Sequence, residues 1–526
     1  MNSATKYIAG LDIGTTSVRC FIYDAKTQIH GRSSRHINLL YPQPGYVEIN
    51  PTELFESVVA VIKEALEDAD LSAADLTCIG ISTQRSSFIT WNRHTGKPYH
   101  NMITWKDLRA DALVRKWNSS YFMKTINTVA SGLYFVTRHP RLLAGKALRF
   151  MNTQVVTRLV WCIRNIKELE DGMNKGDALF GTLDSWLLYR LKQGTDVSKQ
   201  VDHISDFSSI TTTAFFDPFT MSYSKPVLKI LNISEAMLPT PVPNNYDFGY
   251  IDSSLFGHEI KIATSISDQS GSMIGQCCLN RGDVKITLGT GAFFNANYGD
   301  KCSASAYGMY PVVGWGLEDK VTYFIEGASN DCGTVIEWAL STGLIDDVKT
   351  SSDIAESVPD TDGVYFMNAF TGLGAPFMDG RAACGFIGLK PSTTKAHMVR
   401  ALLESIAYRA ALLYYCCLEE TSLRFTALRV DGGVSRNNFV CQMIADLIRL
   451  NVERAANPEM TMLGTVFLAG LNEGIYKNKE ELHQLNKIDV TFKPRPEFVK
   501  KAAAGLAQFR EAGKRFGNWY KEGNSS

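Results

Sequence analysis

The chain has 526 residues, 45% hydrophobic and 21% charged, the balance of a globular protein whose core needs no disulfide or metal staples. Lys plus Arg number 54 and Asp plus Glu number 54, so the net charge is zero, which argues against nucleic acid as the main partner. At roughly 100–200 residues per domain, two or three large domains are expected.

Eleven cysteines, an odd number, include no C-x-x-C, and two adjacent pairs, Cys277-Cys278 and Cys416-Cys417, sit in apolar runs. That usage fits reduced, mostly buried thiols of a cytoplasmic protein, not a disulfide frame or zinc site. The first residues lack an apolar core, so no signal peptide is expected, and no run approaches 18 apolar residues, so no membrane-spanning segment is expected.

The first predicted element is a hairpin over Ile8–Tyr23 with the turn Gly14-Thr15-Thr16-Ser17. Gly14 allows close approach, the three hydroxyl residues add donors beside successive backbone N–H groups, and Arg19 adds a cation, which together suit phosphate oxygens. Asp12, at the end of the first strand, is a candidate Mg²⁺ holder. A Pro- and Gly-rich loop over residues 41–51 leads into a helix capped by Asn50 and running to about Asp70. A buried strand, Cys78–Ser82, then ends on the polar cluster Thr83-Gln84-Arg85-Ser86-Ser87, where α/β proteins put ligands. Trp105, beside Lys106 and Asp107, is a candidate wall for a small polar ligand.

Residues 110–175 read as mainly helical, with Arg138, Arg141, Lys146, Arg149 and Arg158 on a solvated face. A strand entering a helix follows, with Asp184 as N-cap in a structural role, then a strand and loop at 205–216 and a Pro-rich loop to 258. Composition shifts near residue 259, so the expected division is 1–262 and 263–526. A strand Ile260–Ile266 leads to Asp268-Gln269 at the start of a small-residue helix; a carboxylate there is favoured by the helix dipole, and taken alone the position reads as capping. The opening pattern then returns, with Asp283–Leu288, the turn Gly289-Thr290-Gly291 and a second strand, which suggests two similar halves facing one nucleotide. The second half continues with a helix carrying Gly333, Glu337 and Trp338, a long amphipathic helix over 394–419, the turn Asp431-Gly432-Gly433 before Asn437, and a charged helical tail.

The order of these motifs resembles that of the FGGY carbohydrate kinases over residues 7–515, and Thr371–Pro376 with Ala407-Tyr408 is most similar to their glycerol-kinase branch. The resemblance implies an α/β protein with two domains of actin/hexokinase-like (ribonuclease H-like) fold and an interdomain cleft, ATP and Mg²⁺ as cofactors, and phosphorylation of a small polyol. It puts Thr15, Thr16, Ser17, Arg19, Thr290 and Gly291 at the phosphates, and Gly333, Glu337, Gly433 and Asn437 at the adenosine. Arg85, Ser86, Trp105, Asp268 and Gln269 would surround the substrate, Asp12 and Asp268 would hold the metal, and Asp268 would be the base. A homodimer is an expectation by analogy. Three positions depart from the branch: Ser86 stands where it has Glu, Thr153 where it has Tyr, and Glu337 where it has an adenosine-side Gln. The alternative left open is a weakly or non-catalytic relative that regulates a protein partner through nucleotide-driven domain closure.

Overall fold

The computed structural model describes residues 5–137, 140–146, 149–303, 305 and 308–520. Its frame is two sheets with one plan. The first has the strands Tyr250–Ile251, Ile260–Ser267, Leu76–Thr83, Tyr7–Ile13, Ser17–Asp24 and Ile29–His36 side by side in that order. The hairpin pairs antiparallel, Asp12 opposite Arg19, while Tyr7–Ile13, Leu76–Thr83 and Ile260–Ser267 run parallel. The second sheet runs Tyr310–Leu317, Lys320–Ser329, Ala292–Gly299, Val284–Leu288, Ala427–Asp431, Asn451–Ala455, Ile488–Phe492. Its hairpin is again antiparallel and is again followed by two parallel strands, which accounts for the sequence echo. The central strand Tyr7–Ile13 is a nearly continuous buried apolar run, and Val284–Leu288 is buried at all positions but Thr287, as burial on two faces requires. The expected division at 262/263 falls inside the strand Ile260–Ser267, which belongs to the first sheet.

Helix Pro51–Asp68 covers one face of the first sheet with Leu54, Val58, Val61 and Ile62; it starts where the Asn50 side chain accepts from the N–H groups of Thr52 and Glu53. The opposite face is covered by a helix from far along the chain, Met460–Asn472, which packs on Tyr7–Ile13, Leu76–Thr83 and Ile260–Ser267. This helix also crosses Asp268–Gly275 at bare backbone: a Cβ on Gly464 would lie 1.8 Å from the Gly271 carbonyl oxygen. No residue but glycine fits that crossing.

Several sequence expectations change. The helix Lys395–Glu420 is buried nearly all round rather than amphipathic; it is the one described helix long and apolar enough to cross a membrane, and 89% of its apolar window lies inside the protein. The tail is not only helical, since Ile488–Phe492 closes the second sheet beside Asn451–Ala455. Asp184 is not the N-cap of helix Leu183–Gln193; Thr182 holds that position, and Asp184 lies in the first turn, fully buried. It accepts from Ser205 Oγ at 2.7 Å and from the Asp206 N–H at 3.2 Å. Burial, with the Asp206 carboxylate close by, pushes its pKa well above the usual carboxylate range. Arg158 is also fully buried, for reasons that belong to the site; Arg138 and the Lys146 side chain lie outside the described residues. All eleven cysteines are unbonded and nine are buried.

Candidate active site

The two hairpins supply the site from opposite sides. In the opening hairpin the Gly14 N–H closes the turn on the Ser17 carbonyl at 3.0 Å, and Gln84 Nε2 donates to the Gly14 carbonyl at 3.1 Å. Thr15 is the hub: its hydroxyl donates to Gln84 Oε1 at 3.2 Å and accepts from Trp105 Nε1 at 3.0 Å. The expected phosphate turn and the expected ligand wall are therefore one hydrogen-bonded unit. Thr16 is exposed at the tip and Ser17 half-buried.

Asp12 lies 3% exposed below this turn. One carboxylate oxygen pairs with Arg19 Nη2 at 2.6 Å, and the other is buried without a protein partner. Arg19 also pairs with Glu459 at the start of helix Met460–Asn472. The guanidinium is thus held by two carboxylates beside the turn where a phosphate contact is expected, and it orients Asp12.

Asp268 is the first residue of the helix Asp268–Gly275, after the N-cap Ser267, with its side chain 29% exposed. Burial raises its pKa, the Arg85 guanidinium 4.0 Å away opposes the rise, and Asp12 adds to it. Two facing carboxylates, one with an orphaned buried oxygen, form an environment that a hard divalent cation fits. The helix start is itself pinned: the Ser267 N–H donates to Ser208 Oγ at 2.8 Å, and Ser208 donates to the buried carboxylate Asp206 at 2.5 Å.

Arg85 spans the two halves. Its Nη2 lies 2.6 and 2.5 Å from the two oxygens of Glu326, in the second sheet. Glu326 is 1% exposed and also accepts from Asn295 at 2.5 Å and Tyr310 at 2.8 Å. Two further contacts bridge the halves. The rings of Trp105 and Phe293 meet edge to face with centroids 6.4 Å apart. Gln269 Oε1 accepts from Lys285 Nζ at 2.7 Å. Lys285 is fully buried; burial lowers its pKa, opposed by Asp431, Asp268 and Glu326.

The substituted corner has its own structure. Ser86 adopts a left-handed backbone, φ +62, and its hydroxyl donates to Thr212 at 3.0 Å. Its carbonyl, with those of Thr104 and Thr153, accepts from Arg158, which also lies over the Phe88 ring. This corrects the solvated-face reading of Arg158: irregular loops leave carbonyls without strand partners, and a guanidinium satisfies three at once. With no carboxylate in contact, burial brings its pKa down to about 10.

On the far side, Gly289-Thr290-Gly291 packs against the start of helix Gly333–Ser341: the Gly333 N–H donates to Gly289 at 2.8 Å and the Cys332 N–H to Thr290 at 3.0 Å. Gly432, φ +86, abuts the same turn, where an added Cβ would lie 2.5 Å from the Leu288 carbonyl oxygen; around Gly433 the space is open. Glu337 is exposed on its helix, close enough to Lys106 to stabilise that ammonium. Asn437 caps helix Asn438–Ile448 by accepting from the Val440 N–H and donates to Ser351, which fixes its amide close to Gly433 in sequence.

The model of the N-terminal domain of the FGGY family of carbohydrate kinases matches residues 7–275, and that of the C-terminal domain residues 284–473. The chain belongs to the FGGY family. This FGGY protein is 43% identical to "Glycerol kinase 5" of Danio rerio, over 98% of the chain and 97% of that protein, and 40% identical to "Glycerol kinase 5" of Homo sapiens, over 98% and 96%. Among solved structures, Plasmodium falciparum glycerol kinase with ADP superimposes with a TM-score of 0.86 at 28% identity, covering 97% of this chain and 98% of that one. The two-domain α/β fold is that of the sugar kinases.

The sequence missed Glu326, Asn295, Lys285 and Glu459 as site residues. For three of them a signal existed: Lys285 interrupts an apolar strand at the spacing that puts it on one face with Thr287, and Asn295 shares a face with Phe293. Glu326 follows a run of β-formers as the only charge in its strand after Lys320. Glu459 carries no local signal, since its partner is 440 residues away.

Proposed function

We propose that this kinase transfers the γ-phosphoryl group of ATP to a hydroxyl of a small polyol, glycerol or a relative of it, with Asp268 as base. The observation that carries the reading is the Asp268 carboxylate at a helix start in the cleft, its pKa raised by burial and Asp12 and held in check by Arg85. The acceptor O–H gives its proton to Asp268 as its oxygen bonds to the γ-phosphorus, and the bond from that phosphorus to the β,γ-bridging oxygen breaks to release ADP. The base acts late, because this transition state is loose and needs positioning and charge stabilisation above all. The backbone of Thr15–Ser17 and of Thr290–Gly291 would cradle phosphate oxygens from two sides. Asp12 and Asp268 would hold Mg²⁺, which supplies neutralisation of charge on the phosphates. Trp105 would exclude water from one wall of the acceptor pocket, and Arg85 and Gln269 would orient hydroxyls.

The acceptor is proposed to differ from glycerol, or to be glycerol bound weakly, because the Ser86 hydroxyl already donates to Thr212. A neutral hydroxyl in place of a carboxylate gives up about 1–2 kcal/mol per hydrogen bond, which is roughly ten-fold or more in recognition. The test is ADP release from MgATP across glycerol, dihydroxyacetone, small polyols and ketoses, with Asp268→Asn as blank. Turnover on one class that disappears in Asp268→Asn supports the reading. Equal background in both proteins across the panel sinks it and favours a nucleotide-gated binding protein.

A further inference from the structure

The helix Tyr121–Thr137 leaves an apolar stripe exposed. Among its described side chains only Met123 and Ala130 are buried, on one stripe. A second stripe, Phe122, Val129, Leu133 and Val136, recurs at helical spacing about 100° further round and is exposed, Val136 to 80%. Tyr121, at the helix start, is 89% exposed with Lys124 beside its ring. The helix is held by its neighbour Pro140–Lys146, where Gly145 lies against Ala130. An apolar stripe of this kind left in water costs free energy and is a partner's footprint.

Charge says which partner. From residue 112 to 150 the chain carries seven Lys or Arg and no Asp or Glu, in a protein whose net charge is zero. Among the described side chains, carboxylates from outside meet Arg115 (Asp111) and Arg141 (Asp217), while Lys116, Lys124 and Arg149 are exposed, so the segment keeps a positive excess. A second copy docked on the same face would bring that excess against itself. A convex helix with aromatic and branched side chains outward and lysines and arginines around it matches the polar–apolar boundary of an anionic bilayer.

We propose that the helix Tyr121–Thr137 is a peripheral membrane anchor, which inserts Phe122, Leu133 and Val136 among the headgroups of anionic lipids while the exposed Lys116 and Lys124 meet their phosphates. The contact is reversible and leaves the cleft free, because none of these residues belongs to it.

The test is co-sedimentation of the full-length protein with phosphatidylcholine vesicles and with vesicles containing about 30% phosphatidylserine, in 0.1 and 0.5 M NaCl. Binding is expected on the anionic vesicles, about ten-fold weaker or more on neutral ones, and similarly weakened by the high salt. Phe122→Ser/Val136→Ser and, separately, Lys116→Glu/Lys124→Glu should each abolish it while leaving the circular dichroism unchanged, since all four residues are exposed. Equal binding to both vesicles, or none to either, overturns the proposal. So does a wild-type dimer that Phe122→Ser/Val136→Ser splits, which assigns the face to a second copy. Retention on immobilised polyglutamate without vesicle binding overturns it in favour of an acidic polypeptide.

Discussion

Replacing Arg85 by Gln tests the electrostatics of the cleft most directly. The guanidinium is 9% exposed, bidentate to Glu326 and 4.0 Å from Asp268. At an effective dielectric of about 20, a full charge at that distance is worth about 4 kcal/mol to Asp268. Glu326, paired with the same guanidinium, and solvent at the part-exposed Asp268 side chain reduce this, and about 1–2 kcal/mol, close to one pH unit, is expected to remain. Asp268 already sits above the ordinary carboxylate range, and Arg85 is what lowers it, so Arg85→Gln should move the acid limb of the kcat/KM profile upward by about one unit. It should also destabilise the fold, because Glu326 keeps Asn295 and Tyr310 but loses its charge partner. Breaking a buried pair costs about 3–5 kcal/mol, and the two remaining hydrogen bonds reduce that to about 2–3 kcal/mol. Adding Glu326→Gln removes the stranded charge, so the double variant should recover most of the lost melting temperature and return the acid limb part of the way. The assays are ADP release from pH 4 to 9 and thermal denaturation at neutral pH. An acid limb that does not move in Arg85→Gln, or a double variant no more stable than the single, refutes the reasoning.

Three other outcomes follow from the same coordinates. Trp105→Phe removes the indole bond to Thr15 and keeps the ring, so kcat/KM should fall about five-fold, the worth of one neutral hydrogen bond, with little change in melting temperature. Gly432→Ala forces a side chain into left-handed backbone against Leu288; it should cost more than about 2 kcal/mol and, by displacing the glycine–threonine turn, weaken ADP binding ten-fold or more by calorimetry. Asp184 binds its proton more tightly folded than unfolded, so its contribution to stability is present at acid pH and declines as pH rises from the carboxylate range toward neutrality. Asp184→Asn should therefore flatten the melting temperature against pH over that window, and an unchanged slope would show that Asp184 does not titrate there.

The parts of the fold that were legible in the sequence are those governed by neighbours in the chain. Both hairpins, the Asn50 cap and the buried strand before Gln84-Arg85 are short-range patterns, and the structure has each of them. Arg158, Asp184 and the helix Lys395–Glu420 were misread for one reason: whether a charge or a face is buried depends on what packs over it from elsewhere. Arg158 lies under three loop carbonyls, and Lys395–Glu420 is enclosed by its surroundings, neither of which a window of sequence contains. In the cleft, local patterns named Asp12, Thr15, Trp105 and Asp268, while their wiring through Glu326, Lys285 and Glu459 depends on pairs up to 440 residues apart.

The helix Met460–Asn472 ties the first sheet to the end of the chain. Its side chains cover Tyr7–Ile13 and Leu76–Thr83, and its Glu459 completes the Arg19 pairing. During synthesis, the first 275 residues must therefore wait for some 200 more to leave the ribosome before their apolar face is closed. In that interval Met462, Val466 and Leu468 are missing from a sheet whose central strand Tyr7–Ile13 is almost wholly apolar, which leaves the nascent first half with apolar surface uncovered and makes the region after residue 450 a place where a premature stop disables both halves at once.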